Sequence, residues 1–416
     1  MPCAIIDNRR DNIMFKLALR NVVRQKLHTA MTLAAIISGV AGLILAGGWV
    51  YDVFVTLSEA LIHSQSGHMQ VYKTGFFAAG SRTPEKYLIA APNAVKQRIA
   101  AAAEIDSVMA RLNFSGLLNN GRSDLPIIGE GVEAGQEVLL GSSVSIIAGR
   151  HLNDKDTFGV VLGHGVAQGL KLKPGDNVIL LANTLEGALN SMDLEVIGVF
   201  QSFSNDYDAR AIRIPLAAAQ ELLGTKNVNA LVISLKKTDD TDRVAARLKE
   251  QLSASGLEVK TWVELNDFYE KTVELYKGQF AVLQLIILIM VLLSVANSVN
   301  MSIFERTGEF GTMMALGNRS IQVFRLIVVE NVLLGVVGGV LGLGLGVALA
   351  LAISAIGIPM PPPPNANVGY TAHIQIIPSV LLMSCAIGIT ATVLAAILPA
   401  RHVSRTPVVE ALRQNF

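Results

Sequence analysis

Three stretches of this 416-residue chain contain no Asp, Glu, Lys or Arg: 27–51, 278–304 and 331–400. Each is at least as long as the ~20 residues that carry a helix across a ~30 Å hydrocarbon core. With 51% hydrophobic and only 16% charged residues, the composition is too apolar for an ordinary soluble protein. The third stretch is 70 residues long, too long for one helix, and Gly357-Ile-Pro-Met-Pro-Pro-Pro-Pro364 interrupts it. Proline removes amide donors and cannot continue a helix, so this stretch holds two spans. The reading is a membrane α-helical protein with four transmembrane helices, at 29–55, 279–304, 322–356 and 376–400.

Four spans put both termini on one side. The N-terminal segment 1–28, the connection 305–321 with the start of the next span, and the tail 401–416 together hold twelve Lys and Arg against five Asp and Glu. The proline-rich loop 357–375 has no Lys or Arg. The positive-inside rule then makes the termini and the middle connection cytoplasmic. Residues 56–278 become a large external α+β domain inserted between helices 1 and 2. A signal peptide is the alternative for the N-terminus, but the apolar run after Lys26 is about twice the 7–15 residues of an h-region. An uncleaved anchor is expected.

The two cysteines, Cys3 and Cys385, fall at different levels and are expected to be unpaired. In the external domain, Gly67–Lys73 reads as a strand. Val95, Ile99, Ala102 and Ala103 mark one face of a helix, and Val244, Leu248 and Leu252 mark another before a strand at Leu257–Trp262. These flanks resemble one α/β unit split by an insertion. The insertion, about 150–215, has short strand patterns around Val160–Leu162, Val178–Leu181 and Leu194–Phe200 with turn punctuation, and is expected to form a small β subdomain. The Asn183–Asp193 connection is either a plain hairpin or a loop that reaches a partner.

Chemistry is harder to find. No Walker A sequence is present; Gly163–Lys171 has the wrong spacing. Gly338, Gly342 and Gly346 recur every four residues inside an apolar span, the flat ridge that lets transmembrane backbones approach. The seven histidines show no metal-ligating spacing; His63 and His68, five apart, read as satisfied surface residues, and no metal or catalytic residue is assigned. Glu330 is the carboxylate inside a span, costly if left charged in lipid. Its place one turn beyond Arg325 suggests pairing or snorkelling rather than a proton relay. Before the first span, Phe15, Ala18, Leu19, Val22 and Val23 fall on one helical face and Lys16, Arg20 and Arg24 on another, the pattern of a helix lying on the inner membrane surface.

Residues 302–317 read Ser-Ile-Phe-Glu-Arg-Thr-Gly-Glu-Phe-Gly-Thr-Met-Met-Ala-Leu-Gly, followed by Glu330-Asn-Val-Leu-Leu-Gly335 and Gly338-Gly339. With Leu17–Arg24 before the first span, and Leu398-Pro-Ala-Arg401 and Pro407–Arg413 at the end, this pattern resembles the FtsX-like permeases of ABC transporters across the whole four-span plan. Leu162–Ala167 with Lys173-Pro-Gly-Asp176, and Thr261–Leu265, resemble the external domains of the lipoprotein-releasing permeases and of MacB.

That resemblance implies a bacterial inner-membrane permease subunit, not itself an enzyme, with a periplasmic domain. It implies no cofactor in this chain, Mg-ATP being held by a cytoplasmic ABC ATPase, and a second permease chain, identical or a paralogue. It also implies an ATPase-coupling element at Glu305, Arg306, Thr307, Gly308, Glu309, Phe310, Gly311, Met313, Met314, Leu316 and Gly317. The leading expectation is ATP-driven extraction of lipoprotein or another lipid-like cargo, handed to a periplasmic carrier. Trp49, Phe54, Phe280 and Leu283 would line its lateral cavity, unless they are an ordinary interfacial belt. The alternatives are MacB-like efflux through an adaptor and outer-membrane duct, or mechanotransmission to an envelope hydrolase. Membrane lipids are expected partners; nucleic acid is not.

Overall fold

The charge-free stretches form helices that run beyond their apolar limits. A computed structural model of the chain describes residues 17–80, 84–140, 144–361 and 369–405. Four helices in it are long and apolar enough to cross a membrane: Lys26–Leu61, Asp267–Glu305, Ser320–Ile356 and Pro378–Ser404. The second starts twelve residues before the expected 279, because the segment 267–277 has no glycine or proline and its charged residues are good helix formers. The large unit accordingly ends at Thr272, before the expected 278. The expected surface helix is described only from Leu17; residues 17–24 are helical, while Phe15, Lys16 and Cys3 lie outside the described residues, as do 362–368 of the proline-rich loop and the Pro407–Arg413 motif.

The chain divides into two compact units: Met1–Phe54, Val273–Ile358 and Thr371–Phe416 form one, and Val55–Thr272 with Pro359–Tyr370 the other. In the helical unit the core is mostly aliphatic, built around Ile36, Val40, Ile44, Val295, Val323, Ile327 and Ala395, with Phe310 among them. Gly338, Gly342 and Gly346 lie opposite Ile36, Val40 and Ile44, which repeat at the same interval. A methyl group added at any of the three glycines would come within 2.8–2.9 Å of its partner side chain. Gly335 and Gly339 turn to the fourth helix, against Thr392 and Cys385. Two helix pairs thus meet along one small-residue helix, where contact area rather than water exclusion holds them.

The second unit is one ten-stranded sheet: β1 (Met69–Lys73), β2 (Ile105–Asn119), β3 (Asp124–Val132), β4 (Ser145–Gly149), β5 (Gly159–Gly163), β6 (Asn177–Asn183), β7 (Leu189–Gln201), β8 (Ala211–Pro215), β9 (Ala230–Leu235) and β10 (Leu257–Thr261). Its order is β10-β1-β9-β2-β3-β8-β5-β7-β4, with β6 pairing to β2 and β7. The helices Pro92–Ala100 and Thr241–Ser253 bury Ile99, Val244, Leu248 and Leu252 in a core shared with β1, β9 and β10.

The strands of the expected β subdomain at 150–215 are present, but they do not form a sheet of their own. β2 is fifteen residues long and pairs with β9 through its first half and with β6 through its second, while β8 pairs parallel to β3. The inserted strands therefore continue the flanking sheet, and their core takes Leu112, Phe114, Leu118 and Ile127 from β2 and β3. The Asn183–Asp193 connection is a hairpin: β7 begins at Leu189, Ala188 O accepts from Thr184 N at 2.7 Å, and Gly187 supplies the positive φ of 87°.

Candidate functional site

Local sequence makes a joint at Arg306. The second long helix ends at Glu305; Arg306 leaves helical geometry at φ −107°, ψ 11°, and a nine-residue helix, Thr307–Ala315, follows. It stops at Gly317, whose φ of 99° an L side chain resists, with Asn318 N–H donating to Met313 O. Arg319 N–H then donates to Gln322 Oε1 and starts the third long helix. The expected coupling helix of 305–321 is thus a shorter rod between two turns.

The rod has two faces. Arg306, Thr307, Gly308, Phe310 and Gly311 are buried, and Met313 and Met314 half-buried. Glu305, Glu309, Leu316 and Gly317 are exposed, Leu316 at 83%. Of the expected coupling residues, this second set is the most open to a partner.

Behind the rod sits a polar cluster. Arg306 Nη1 donates to Glu330 Oε2 at 2.9 Å and Nη2 to Glu330 Oε1 at 3.3 Å, while its Nε donates to Glu309 Oε2 at 3.2 Å. The guanidinium lies over the Phe310 ring, 4.9 Å from its centroid. Asn21 Nδ2 donates to Glu330 Oε1 at 2.5 Å, and Arg24 pairs with Glu309. His28 Nε2 meets Glu305 Oε2 at 3.0 Å, and Ser302 Oγ donates to Gln25 Oε1 at 2.7 Å. Burial works to raise the Glu309 pKa, but hydrogen bonding and charge from Arg306, then Arg24, hold it below the usual carboxylate range. A cavity of about 30 Å³, the room of one water, opens among Asn21, His28, Ser302 and Glu330, and the buried Asn331 Oδ1 and His28 Nδ1 beside it have no hydrogen-bond partner among the described residues.

Two expectations change. Glu330 pairs with Arg306 and Asn21, whereas Arg325 is exposed, so tertiary contact rather than helical proximity chooses its partner. Within residues 17–24, Ala18 is buried and Asn21 and Val22 half-buried, while Leu19 and Val23 are exposed. The face that packs on protein is therefore the one carrying Asn21, and the outer apolar face is left to its surroundings.

Sequence reasoning passed over Asn21, Gln25, His28, Thr32, Ser298 and Ser302. Their spacing was a usable signal: 21, 25, 28 and 32 make one helical stripe, and 298, 302 and 306 make its complement. Thr32 and Ser298 close the seam at 2.6 Å.

Of the expected cargo-cavity residues, Trp49 and Phe54 lie on the first long helix and Phe280 and Leu283 on the second. Phe280 packs by Gly47, Phe54 meets Tyr276 edge-on with centroids 6.0 Å apart, Trp49 is half-buried and Leu283 exposed. An open groove between the same two helices lies nearer Lys26, lined by Ser38, Gly39, Ile287, Met290, Val291 and Ser294. Glu330 and His373 are far apart. His373 lies by Ser354, twenty-four residues and roughly 36 Å of helix from Glu330, and its N–H donates to Asp52 Oδ2 at 2.8 Å.

His68 is a further correction. It is buried, not on the surface: its Nδ1 accepts from Leu235 N–H at 3.1 Å and Nε2 meets Thr238 Oγ1 at 3.1 Å. Burial first, then the neighbouring His63, pushes its pKa down to about 4. Among the described residues no cluster of three metal-ligating side chains is found.

Against known proteins, residues 29–251 match the model of the MacB-like periplasmic core domain, and residues 281–408 that of the FtsX-like permease C-terminal region. The macrolide export ATP-binding/permease protein MacB of Sodalis glossinidius is 25% identical over 367 residues, 82% of this chain and 54% of that protein. An uncharacterized ABC transporter permease of Methanocaldococcus jannaschii is 26% identical over 216 residues, 50% of this chain and 52% of that one. The uncharacterized ABC transporter permease YknZ of Bacillus subtilis is 23% identical over 361 residues, 79% and 83% of the two chains. The chain spans about half the length of the first two of these relatives.

Proposed function

The chain belongs to the ABC transporter permeases with a MacB-like periplasmic core domain and an FtsX-like permease region, and on that premise we propose that Thr307–Ala315 is the lever through which a separate ATPase drives it. The observation that carries this is the division of the rod: Glu305, Glu309 and Leu316 face outward while Arg306 and Phe310 are locked inward. A nine-residue rod held between two turns moves as one body when pushed on its outer face. Mg-ATP belongs to the partner. The positive-inside count supports cytoplasmic termini and a periplasmic α+β unit between helices 1 and 2, and two such chains, alike or paralogous, would flank two ATPase subunits.

Two cargo readings have separate support. Release of lipoprotein or a lipid-like cargo is supported by the second long helix, whose most apolar window is only 11% buried and offers an apolar face for acyl chains. Export through an adaptor and outer duct is supported by the MacB relatives, whose names describe macrolide export. Mass spectrometry of polypeptides and lipids co-purified with the tagged chain without ATP separates them. An acylated polypeptide beside an ATPase supports release; an adaptor without acylated cargo supports export.

The lever itself is tested by Glu305→Lys with Leu316→Asp, both on the outer face and neither touching the Arg306–Glu330 pair. Membrane insertion is expected to persist while ATP hydrolysis no longer drives cargo movement. Unchanged coupling in that variant removes the assignment.

A further inference from the structure

Glu330 is a buried carboxylate ten residues into an apolar helix, and both its oxygens are occupied by donors, two from Arg306 and one from Asn21. A carboxylate so filled has no free edge for a travelling proton. Nor is stability a sufficient reason for it, because a buried ion pair is often no more stabilising than an apolar pair of equal volume. What the pair adds is a single permitted geometry.

That geometry acts on the joint. Arg306 is the residue at which one helix ends and the rod begins, and its planar guanidinium is held by Glu330 on one edge, Glu309 on another and Phe310 beneath. Fixing the fork fixes the angle between the two helices. Asn21 shares Glu330 Oε1 and Arg24 takes the other oxygen of Glu309, so residues 17–24 close on the same joint from a second side.

We propose that Glu330, acting through Arg306, is the positioning residue that sets the angle of Thr307–Ala315, and that the helix 17–24 is part of the same lever. The inference rests on reading the rod as the ATPase contact, but its geometry is testable without the ATPase. Any partner that moves the rod then moves the helix 17–24 and the third long helix with it.

The test uses the full chain in lipid nanodiscs with Cys3→Ser and Cys385→Ala, and no ATPase or nucleotide. Spin labels at Leu316→Cys and Leu398→Cys, both strongly exposed, report the rod angle; labels at Leu19→Cys and Leu316→Cys report the N-terminal helix. A control pair at Leu341→Cys and Leu382→Cys, also exposed, reports the third and fourth helices. Glu330→Gln and Arg306→Lys are expected to broaden the first two distance distributions and add a second population, with Glu330→Asp intermediate and the control pair unchanged. Unaltered distributions in Glu330→Gln and Arg306→Lys overturn the proposal. Equal broadening of the control pair also overturns it, since the residue then serves general stability. Failure of the lever reading would leave these distances untouched, so the two failures are distinguishable.

Discussion

The two units each bury ionic side chains, and they do so in opposite styles. In the sheet, Arg111 donates to both oxygens of Glu137 at 2.7 and 3.0 Å, and Arg213 donates to Glu130 at 3.1 Å and lies 3.3 Å from Glu137. Tyr207 adds a bond to Glu130 at 2.7 Å, and Arg213 reaches the Ser64 carbonyl at 2.9 Å. All four charged residues are under 9% exposed. The helical unit instead grades outward, from buried Arg306 and Glu330 to Glu309, with a side chain 42% exposed, and Arg24, 70% exposed. A closed set of charges can only fix a fold. A graded set keeps one end where a partner can reach it.

The sharpest way to break this comparison is Arg213→Met. It leaves Glu130 and Glu137 sharing one arginine inside the sheet, and removing one member of a buried pair typically costs ~3–5 kcal/mol. Trp262 is buried in the same unit and Trp49 lies in the other. Urea unfolding of a Trp49→Phe background, followed by Trp262 fluorescence, is expected to show a large fall in midpoint. A loss under ~1 kcal/mol, the scale of an exposed pair, would make the sheet cluster dispensable.

Next in size is helix packing. Gly342→Val places a methyl group about 2.8 Å from Val40 Cβ and 3.3 Å from Ile37 Cα, whereas the same group at Gly344 meets nothing within 4 Å. Overpacking costs ~1–3 kcal/mol, so Gly342→Val should lower the melting temperature in detergent and Gly344→Val should leave it nearly unchanged. Equal effects would reduce the glycine ridge to helix propensity alone.

How much of this was legible beforehand follows the range of each signal. The missing charges mark the four long helices because lipid imposes a length and a polarity on every residue of a span. Strand patterns at Val178–Leu181 and Leu194–Phe200 are local, and strands occupy both places. The joining of 150–215 to the flanking sheet was not legible, because it depends on β2 pairing with strands sixty or more residues away. Glu330 was visible as costly but not its partner: Arg306 is twenty-four residues distant and arrives only once the rod folds back. The site's acids were readable as a motif; its grading from buried to exposed was not.

A pH series sharpens the sheet side. Burial works to raise the Glu137 pKa, but Arg111 and Arg213 together hold it below the usual carboxylate range. A carboxyl depressed in the folded state contributes stability that is complete above its unfolded value and is lost as pH falls through the folded one. Unfolding midpoints read by Trp262 should therefore be insensitive to this group at neutral pH and decline below about pH 4.5. In Glu137→Gln the starting stability should be lower and the acid decline shallower; an unchanged slope would assign the decline to other carboxylates.

The smallest effect belongs to the outer edge of the helical cluster. Arg24 pairs with Glu309 in the open, and exposed pairs contribute ~0–1 kcal/mol, less in salt. Arg24→Ala should thus leave the melting temperature within error of the parent. If the pair fastens residues 17–24 to the rod, however, amide exchange should quicken in that helix, and raised salt should quicken it in the parent as well. The two readouts part company because holding a helix end in place demands little of the global stability. A variant that lost melting temperature instead would put Arg24 among the fixtures, and the contrast between the closed and the graded cluster would fail at the residue where it is most exposed.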